Sequence, residues 1–321
     1  MLVVPTCRPE SLKSFLSAWE VNCGWDQICV VEDAHVASDE IEKALPDTAL
    51  HFSHIGIKEL LKDDAWIISK RDSAIRCFGF LIAYRDGMDV LTLDDDCLPL
   101  SSSCSETFVT QHQQAMIHPR WVEAVPGMRT RGLPYRNLGT MQSMVNVGLW
   151  AGVPDLDGPQ GLLHPQDNFV PPSGSRLIPT GQYTPMCGMN LYIRHEALPL
   201  MYFPLMGEGQ PYRRFDDIWC GIIAKKCMDH LGWKMSVGEP FVHHQRASDP
   251  IANMVKEAPG IEANEKFWEI VDSAPIPSGV VDPLAAMTLI GEYLADEVGD
   301  PYLEKLGKAI GVWVRLLEKT K

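Results

Sequence analysis

Apolar positions fall in short blocks along the chain, separated by polar turns. Leu2-Val3-Val4 reads as a first buried strand that runs into a polar loop by Arg8. Ile28-Cys29-Val30-Val31 is a second such run, ending at Glu32-Asp33. Asp72 or Ser73 caps a helix reaching to about Tyr84, with Ile75, Phe78, Leu81 and Ile82 on its apolar face. Gly87 ends that helix, and Met88 to Leu93 reads as the next strand. This strand–helix–strand order predicts a largely parallel sheet covered by helices. Residues 127–188 are rich in Gly, Pro and polar side chains and read as long functional loops with short strands. Asp216 to His230 reads as a helix with Gly232 just past its end, and Pro240-Phe241-Val242 as a strand. The tail, Pro283 to Lys319, holds two amphipathic helices separated near Gly299-Asp300-Pro301. Ile310, Trp313, Val314 and Leu317 form a packing stripe on the last one. Neither an internal repeat nor a low-complexity segment is seen.

A length of 321 residues suits roughly two domains, or one large α/β domain with additions. With 45% apolar and 22% charged residues, the chain is not disordered, collagen-like or coiled-coil. Lys and Arg total 28 against 42 Asp and Glu, a formal net charge of −14. Such a chain repels polyanions, and it has no dense basic run, so nucleic acid is not an expected partner. A phosphate-bearing ligand would need a metal ion or a few aimed Arg side chains. No apolar run approaches the ~20 residues of a membrane span, so no membrane association is expected. The apolar stretch at the start is too short for a signal peptide. The nine cysteines include no C-x-x-C pair and read as free thiols in a reducing cytoplasm.

The sharpest chemical signal is Leu91-Thr92-Leu93 feeding into Asp94-Asp95-Asp96-Cys97. In an extended chain Asp94 and Asp96 fall on one side and Asp95 on the other. Carboxylates crowded at the C-terminal end of a strand repel one another, a cost that a divalent cation between them removes. That end of an open α/β sheet is also where ligands bind. A solvated acidic turn gives the same string. Asp216 and Asp217 open a predicted helix, either as caps favoured by its dipole or with one of them facing a sugar hydroxyl. His243-His244 follow a strand, and His244 offers an imidazole to a Mn²⁺ or Mg²⁺ already held by carboxylates. Lys70, Arg71 and Arg76 gather at a helix start, as a solvated face or as a diphosphate grip. No G-x-G-x-x-G appears, so neither flavin nor NAD is expected.

These residues carry a family resemblance. Val3-Val4-Pro5-Thr6, Arg71-Asp72-Ser73-Ala74, Arg76-Cys77-Phe78-Gly79, Asp94-Asp95-Asp96-Cys97, Gly148-Leu149-Trp150 and Pro154-Asp155-Leu156-Asp157 occur in order. Met186-Cys187-Gly188-Met189-Asn190, Met201-Tyr202-Phe203, Leu205-Met206-Gly207-Glu208-Gly209-Gln210-Pro211, Asp216-Asp217-Ile218-Trp219 and Asp229-His230-Leu231-Gly232 follow, then His244 and Ala247-Ser248. The chain resembles the reversibly glycosylated polypeptides, the UDP-arabinopyranose mutases of plants and their microbial relatives, from Val3 to near Gly260.

The resemblance implies an α/β fold: a glycosyltransferase type A-like nucleotide-binding sheet flanked by helices over residues 1–275, with a helical C-terminal extension, 276–321, packed on it. It implies a divalent cation, Mn²⁺ or Mg²⁺, with Asp94, Asp96 and His244 as its ligands. Thr6, Arg8, Asp33, Arg71, Arg76, Asp95, Gly188 and Asn190 are the implied nucleotide-sugar residues, and Asp216 and Asp217 the implied catalytic acids. One position departs from the pattern. The plant Arg that becomes glycosylated aligns without gaps to Leu138, and Arg136, two residues earlier, is the candidate substitute. The base (UDP or GDP) and the sugar are therefore open. The expected activity is a metal-dependent, flavin-independent pyranose–furanose mutase acting on a nucleotide sugar. A glycosyltransferase with an external or protein acceptor, and a catalytically silent nucleotide-sugar-binding subunit, are the alternatives. Self-association into a homo-oligomer is compatible with the apolar stripes of the tail, which fit internal packing equally well.

Overall fold

The computed structural model describes residues 1–20, 23–100, 106–125, 127–245, 249–296 and 298–319. Its strands are β1 (Leu2–Thr6), β2 (Ile28–Glu32), β3 (Leu50–Phe52), β4 (Val90–Leu93), β5 (Cys97–Pro99), β6 (Ile117–Pro119), β7 (Thr140–Gln142), β8 (Val145–Gly152), β9 (Arg176–Leu177), β10 (Asn190–Ile193) and β11 (Met235–His244). The α-helices are α1 (Pro9–Trp19), α2 (Asp39–Ala44), α3 (His54–Leu61), α4 (Cys77–Arg85), α5 (Phe108–Ala115), α6 (Gly158–Leu163), α7 (Asp216–His230), α8 (Pro250–Ser273), α9 (Pro283–Asp296) and α10 (Pro301–Glu318).

The main sheet runs β3-β2-β1-β4-β10-β8-β11-β5, with β9 paired to β11. Alternation along β1 divides the core between its faces. Val3 joins Cys29 and Val31 on one side, while Leu2 and Val4 join Ile28 and Val30 on the other. Helices cover both faces: α4, α7, α9 and α10 contribute to the larger core, α1 and α5 to the smaller. The chain is thus a mixed α/β fold with a central sheet between helical layers.

The largely parallel sheet holds for the β3-β2-β1-β4 half. Beyond it, β10 runs antiparallel between β4 and β8, β11 runs parallel to β8, and β5 closes the edge antiparallel to β11. The predicted helix at Asp72 is real but composite. Asp72 accepts from the Ala74 amide at 3.1 Å and caps a 3₁₀ turn, Ser73–Arg76, which leads into α4. The stretch 127–188 contains β8, an eight-residue inner strand rather than a short one. Its hydrophobic pattern is masked because Asn146 is buried in a polar network and Gly148 faces the Asn190 side chain, which a Cβ would meet at 2.2 Å. The long helix α8 has no counterpart in the sequence expectations. It carries Pro259 internally, and Gly260 lets the Phe215 ring approach to where a Cβ would stand 2.5 Å away.

The tail helices pack into the larger core. Trp313 is fully buried and donates from Nε1 to the Pro199 carbonyl at 3.0 Å, and Tyr302 donates to the Leu205 carbonyl at 2.8 Å. The described cysteines are free thiols, and no helix among the described residues is long and apolar enough to cross a membrane.

Candidate active site

Strand directions gather the candidate residues. The C-terminal ends of β1, β2, β4, β8 and β11 and the N-terminal end of β10 lie along one edge of the sheet. Thr6, Asp33, Asp94 and His244 are there by topology, with Gly188 just ahead of β10.

The acidic string is a turn, not extended chain: the Cys97 amide donates to the Asp94 carbonyl at 3.0 Å, between β4 and β5. Strict alternation is therefore lost, and the expected pairing of Asp94 with Asp96 on one side is corrected. Asp95 and Asp96 turn together toward Arg8, and Asp94 turns toward Arg76. Thr6 Oγ1 donates to Asp95 Oδ2 at 2.6 Å, and Arg8 Nη2 donates to Asp95 Oδ1 and lies 3.3 Å from Asp96 Oδ2. Burial pushes the Asp95 carboxyl up, while the Thr6 hydroxyl and the Arg8 guanidinium hold it down.

His244 is the register partner of Cys97, and the Gln245 amide reaches the Asp96 carbonyl at 3.3 Å. His244 Nδ1–H donates to the Val153 carbonyl at 2.8 Å, leaving Nε2 as the lone-pair nitrogen. Two carboxylates and an oriented imidazole suit a hard divalent cation in donor type. Among the described residues, however, no three such donors already surround a common point.

A second cluster of acids lies beside the turn. Arg76 is fully buried at the centre of it. Its Nε donates to the Ser73 carbonyl at 3.1 Å, Nη1 to Thr92 Oγ1 at 3.0 Å and to the Gly188 carbonyl, and Nη2 to Asp94 Oδ1. A guanidinium committed in this way is not an open diphosphate grip. It is the internal counter-ion that ties Asp94 to the start of α7. Asp216, 2% exposed, accepts from the Ser73 hydroxyl at 2.8 Å. Burial raises its carboxyl, against the Arg76 charge and the Ser73 hydrogen bond. Asp217 accepts from the Gly188 amide at 2.9 Å. Burial, then the charges of Asp216 and Asp155, push it well above the usual carboxylate range. Burial and the Asp216 charge do the same to Asp72. Gly188 therefore links the two halves: its carbonyl receives Arg76 and its amide holds Asp217. Its role is to join these groups rather than to line an open pocket.

Other expectations resolve differently. Asp33 accepts from the Arg71 and Asp72 amides, each at 3.0 Å, and contacts His54 Nε2 at 2.8 Å, so its carboxylate pins the cationic loop over β2. That loop needs pinning because Arg71 sits at φ 55°, in the left-handed region. The Arg71 side chain is exposed and pairs with Glu208 at 3.1 Å. Asn190 is sealed inside. Its amide donates to the Leu149 and Pro240 carbonyls, each at 2.9 Å, and its oxygen accepts from His112 Nε2 at 2.9 Å. It orders three strands and has no open face for a ligand. Arg136 lies exposed ahead of β7 and, among the described residues, makes no hydrogen bond or ion pair with the acids. Ala247 and Ser248 lie outside the described residues.

Three contributors lie in the matching strings with no site role expected of them: Asp72, read only as a helix cap, Asp155 and Cys187. Arg214 and Glu257 carried no signal. Arg214, at φ 67°, donates to Glu257 at 2.8 Å, and the charges of Glu257, Asp155 and Asp217 hold its guanidinium protonated. Only the fold brings α8 to that position.

The whole chain, residues 1–321, matches the model of the family described as reversibly glycosylated polypeptide. It is 30% identical over 330 residues to UDP-arabinopyranose mutase 1 of Arabidopsis thaliana, covering 98% of this chain and 90% of that protein. It is 32% identical over 330 residues to UDP-arabinopyranose mutase 1 of Oryza sativa subsp. japonica, covering 98% and 88%. A probable UDP-arabinopyranose mutase 2 of Solanum tuberosum is 32% identical over 273 residues, 80% of this chain and 74% of that one. With the acidic turn, the Arg76 hub and the α7 acids set along one sheet edge, the chain belongs to the reversibly glycosylated polypeptide family.

Proposed function

We propose that the protein is a nucleotide-sugar mutase that interconverts the pyranose and furanose forms of a UDP- or GDP-linked sugar, with a divalent cation and without flavin. The observation that carries this reading is the near-full-length similarity to proteins named UDP-arabinopyranose mutase. The site geometry is compatible with it.

In this reaction the bond from C1 to the diphosphate breaks and re-forms, and the C1–O5 bond is exchanged for C1–O4. Asp94, Asp96 and His244 would hold the cation, Mn²⁺ or Mg²⁺. When bound, it would offset the charge of the departing diphosphate. Arg8, whose side chain is 38% exposed, is the cation placed to meet a diphosphate, whereas Arg76 is committed to protein acceptors. Thr6 and Asp95 hold Arg8 at the end of β1. The acids at the start of α7, Asp216 and Asp217, would move protons between the ring oxygens. Asp217 is the better placed of the two, since Asp216 is shut in against Ser73.

The test is incubation with Mn²⁺ or Mg²⁺ and a panel of donors: UDP-arabinopyranose, UDP-galactose, UDP-glucose, GDP-mannose, GDP-fucose and GDP-galactose. The expected product has unchanged mass and furanose ring signals by NMR, and is lost on adding EDTA. No isomer from any donor, with release of free nucleoside diphosphate, would overturn the reading in favour of transfer to an acceptor.

A further inference from the structure

Exchanging C1–O5 for C1–O4 moves two protons. O4 loses one as its electron pair forms the new bond to C1. O5 gains one as the pair of the old bond returns to it. The site therefore needs one carboxyl that is ionised and one that is protonated, both within reach of the sugar. We propose that Asp155 and Asp217 form this working pair, Asp155 taking the proton from O4 and Asp217 giving the proton to O5, with the roles reversed in the opposite direction.

The inference rests on the mutase reading and names the carboxyl which that reading lacks. One dipeptide holds both groups: Cys187 Sγ donates to Asp155 Oδ2 at 3.0 Å, and the next amide, Gly188 N, donates to Asp217 Oδ2 at 2.9 Å. Both carboxyls are half-buried, whereas Asp216 is closed off. Both act on the same cation, Arg214, which Glu257 holds from α8. The charge of Asp155, with those of Asp94 and Asp96, also raises the Cys97 thiol. Burial and two neighbouring acids favour the protonated form of Asp217, which suits it to the donor role. Burial and the Asp155 charge keep the Cys187 thiol protonated, and so a hydrogen-bond donor.

The experiment uses full-length protein, Mn²⁺ and UDP-arabinopyranose carrying ¹⁸O in the bond between C1 and phosphorus. Movement of label into non-bridging β-phosphate positions, read by ³¹P NMR, reports breakage of the C1–O bond. Furanose formation reports the complete reaction. In Asp155→Asn, furanose formation is expected to fall by about 10²–10⁴-fold while isotope exchange continues within about tenfold of wild type. The limb of the kcat/KM pH profile that reports the ionised base should vanish. Cys187→Ala should lower furanose formation, and Cys187→Ser should restore it. Furanose formation near the wild-type rate in Asp155→Asn would overturn the pair, as would equal loss of both readouts, which is the mark of a structural role. A wild-type protein that exchanges label but isomerises no sugar would overturn the mutase reading itself.

Discussion

Arg76→Met tests whether a buried cation holds the site together. Methionine fills much of the arginine volume and adapts to irregular space, so the cavity cost is small. The electrostatic cost is large. The substitution leaves Asp94 without its ion pair, removes donors from the Ser73 and Gly188 carbonyls, and takes the nearest positive charge from Asp216. Removing one partner of a buried pair costs about 3–5 kcal/mol. The cost depends on pH with a definite sign. A carboxyl whose folded pKa is raised binds its proton more tightly when folded, so stability falls as pH rises above the unfolded value. Asp216 and Asp217 are already raised, and losing Arg76 raises them further. The destabilisation should therefore grow between pH 5 and pH 8. Urea unfolding followed by the fluorescence of the nine tryptophans and by far-UV circular dichroism measures it at both pH values. A loss under about 1 kcal/mol, or an equal loss at the two pH values, would refute the assignment of Arg76 as counter-ion.

Three further outcomes are expected. A Cβ at position 188 would stand 3.2 Å from Arg76 Nη1 and 3.1 Å from the Phe203 ring, so Gly188→Ala should cost about 1–3 kcal/mol and lower turnover together, checked by thermal melts alongside the NMR assay. His112 is pulled down to about 3 by burial, so its neutral form supports the fold above its unfolded pKa and that support is lost as pH falls. Below about pH 6.5 the wild type should lose up to about 1.4 kcal/mol per pH unit relative to His112→Gln, and parallel stability curves would count against this. Trp313→Ala should cost about 3–5 kcal/mol in urea unfolding, because the ring is fully buried in the core that the tail shares with the sheet.

Much of the architecture was legible because it is local. The runs at Leu2 and Ile28, the helix Asp216–His230 and both tail helices follow from apolar spacing and from breakers such as Gly87 and Gly232, both at positive φ. The acidic string, the helix acids and His244 were visible as residue types at the ends of such elements. The rest depends on contacts between distant segments. Strand β8 hides because its buried Val145 and Val147 are interrupted by the equally buried Asn146, and its Gly148 makes room for Asn190, 42 positions along. Helix α8 hides behind Pro259-Gly260, a breaker signal overruled because Gly260 packs on Phe215. The reversal of β10 has no local signature; it is set by pairing with β4 and β8.

The division is sharpest at the site. Sequence alone supplied an excess of carboxylates and a few arginines in ordered strings, enough to predict where charge would concentrate. It could not assign partners, because a side chain's chemistry is decided by what surrounds it. Burial turned Arg76 from a phosphate grip into the tie between Asp94 and α7. A turn in place of extended chain set Asp95 and Asp96 on Arg8. The meeting of residues 155, 187–188 and 217, far apart in the chain, placed two carboxyls on neighbouring groups of one dipeptide. Those roles are properties of desolvation and distance, and only the folded chain sets either one.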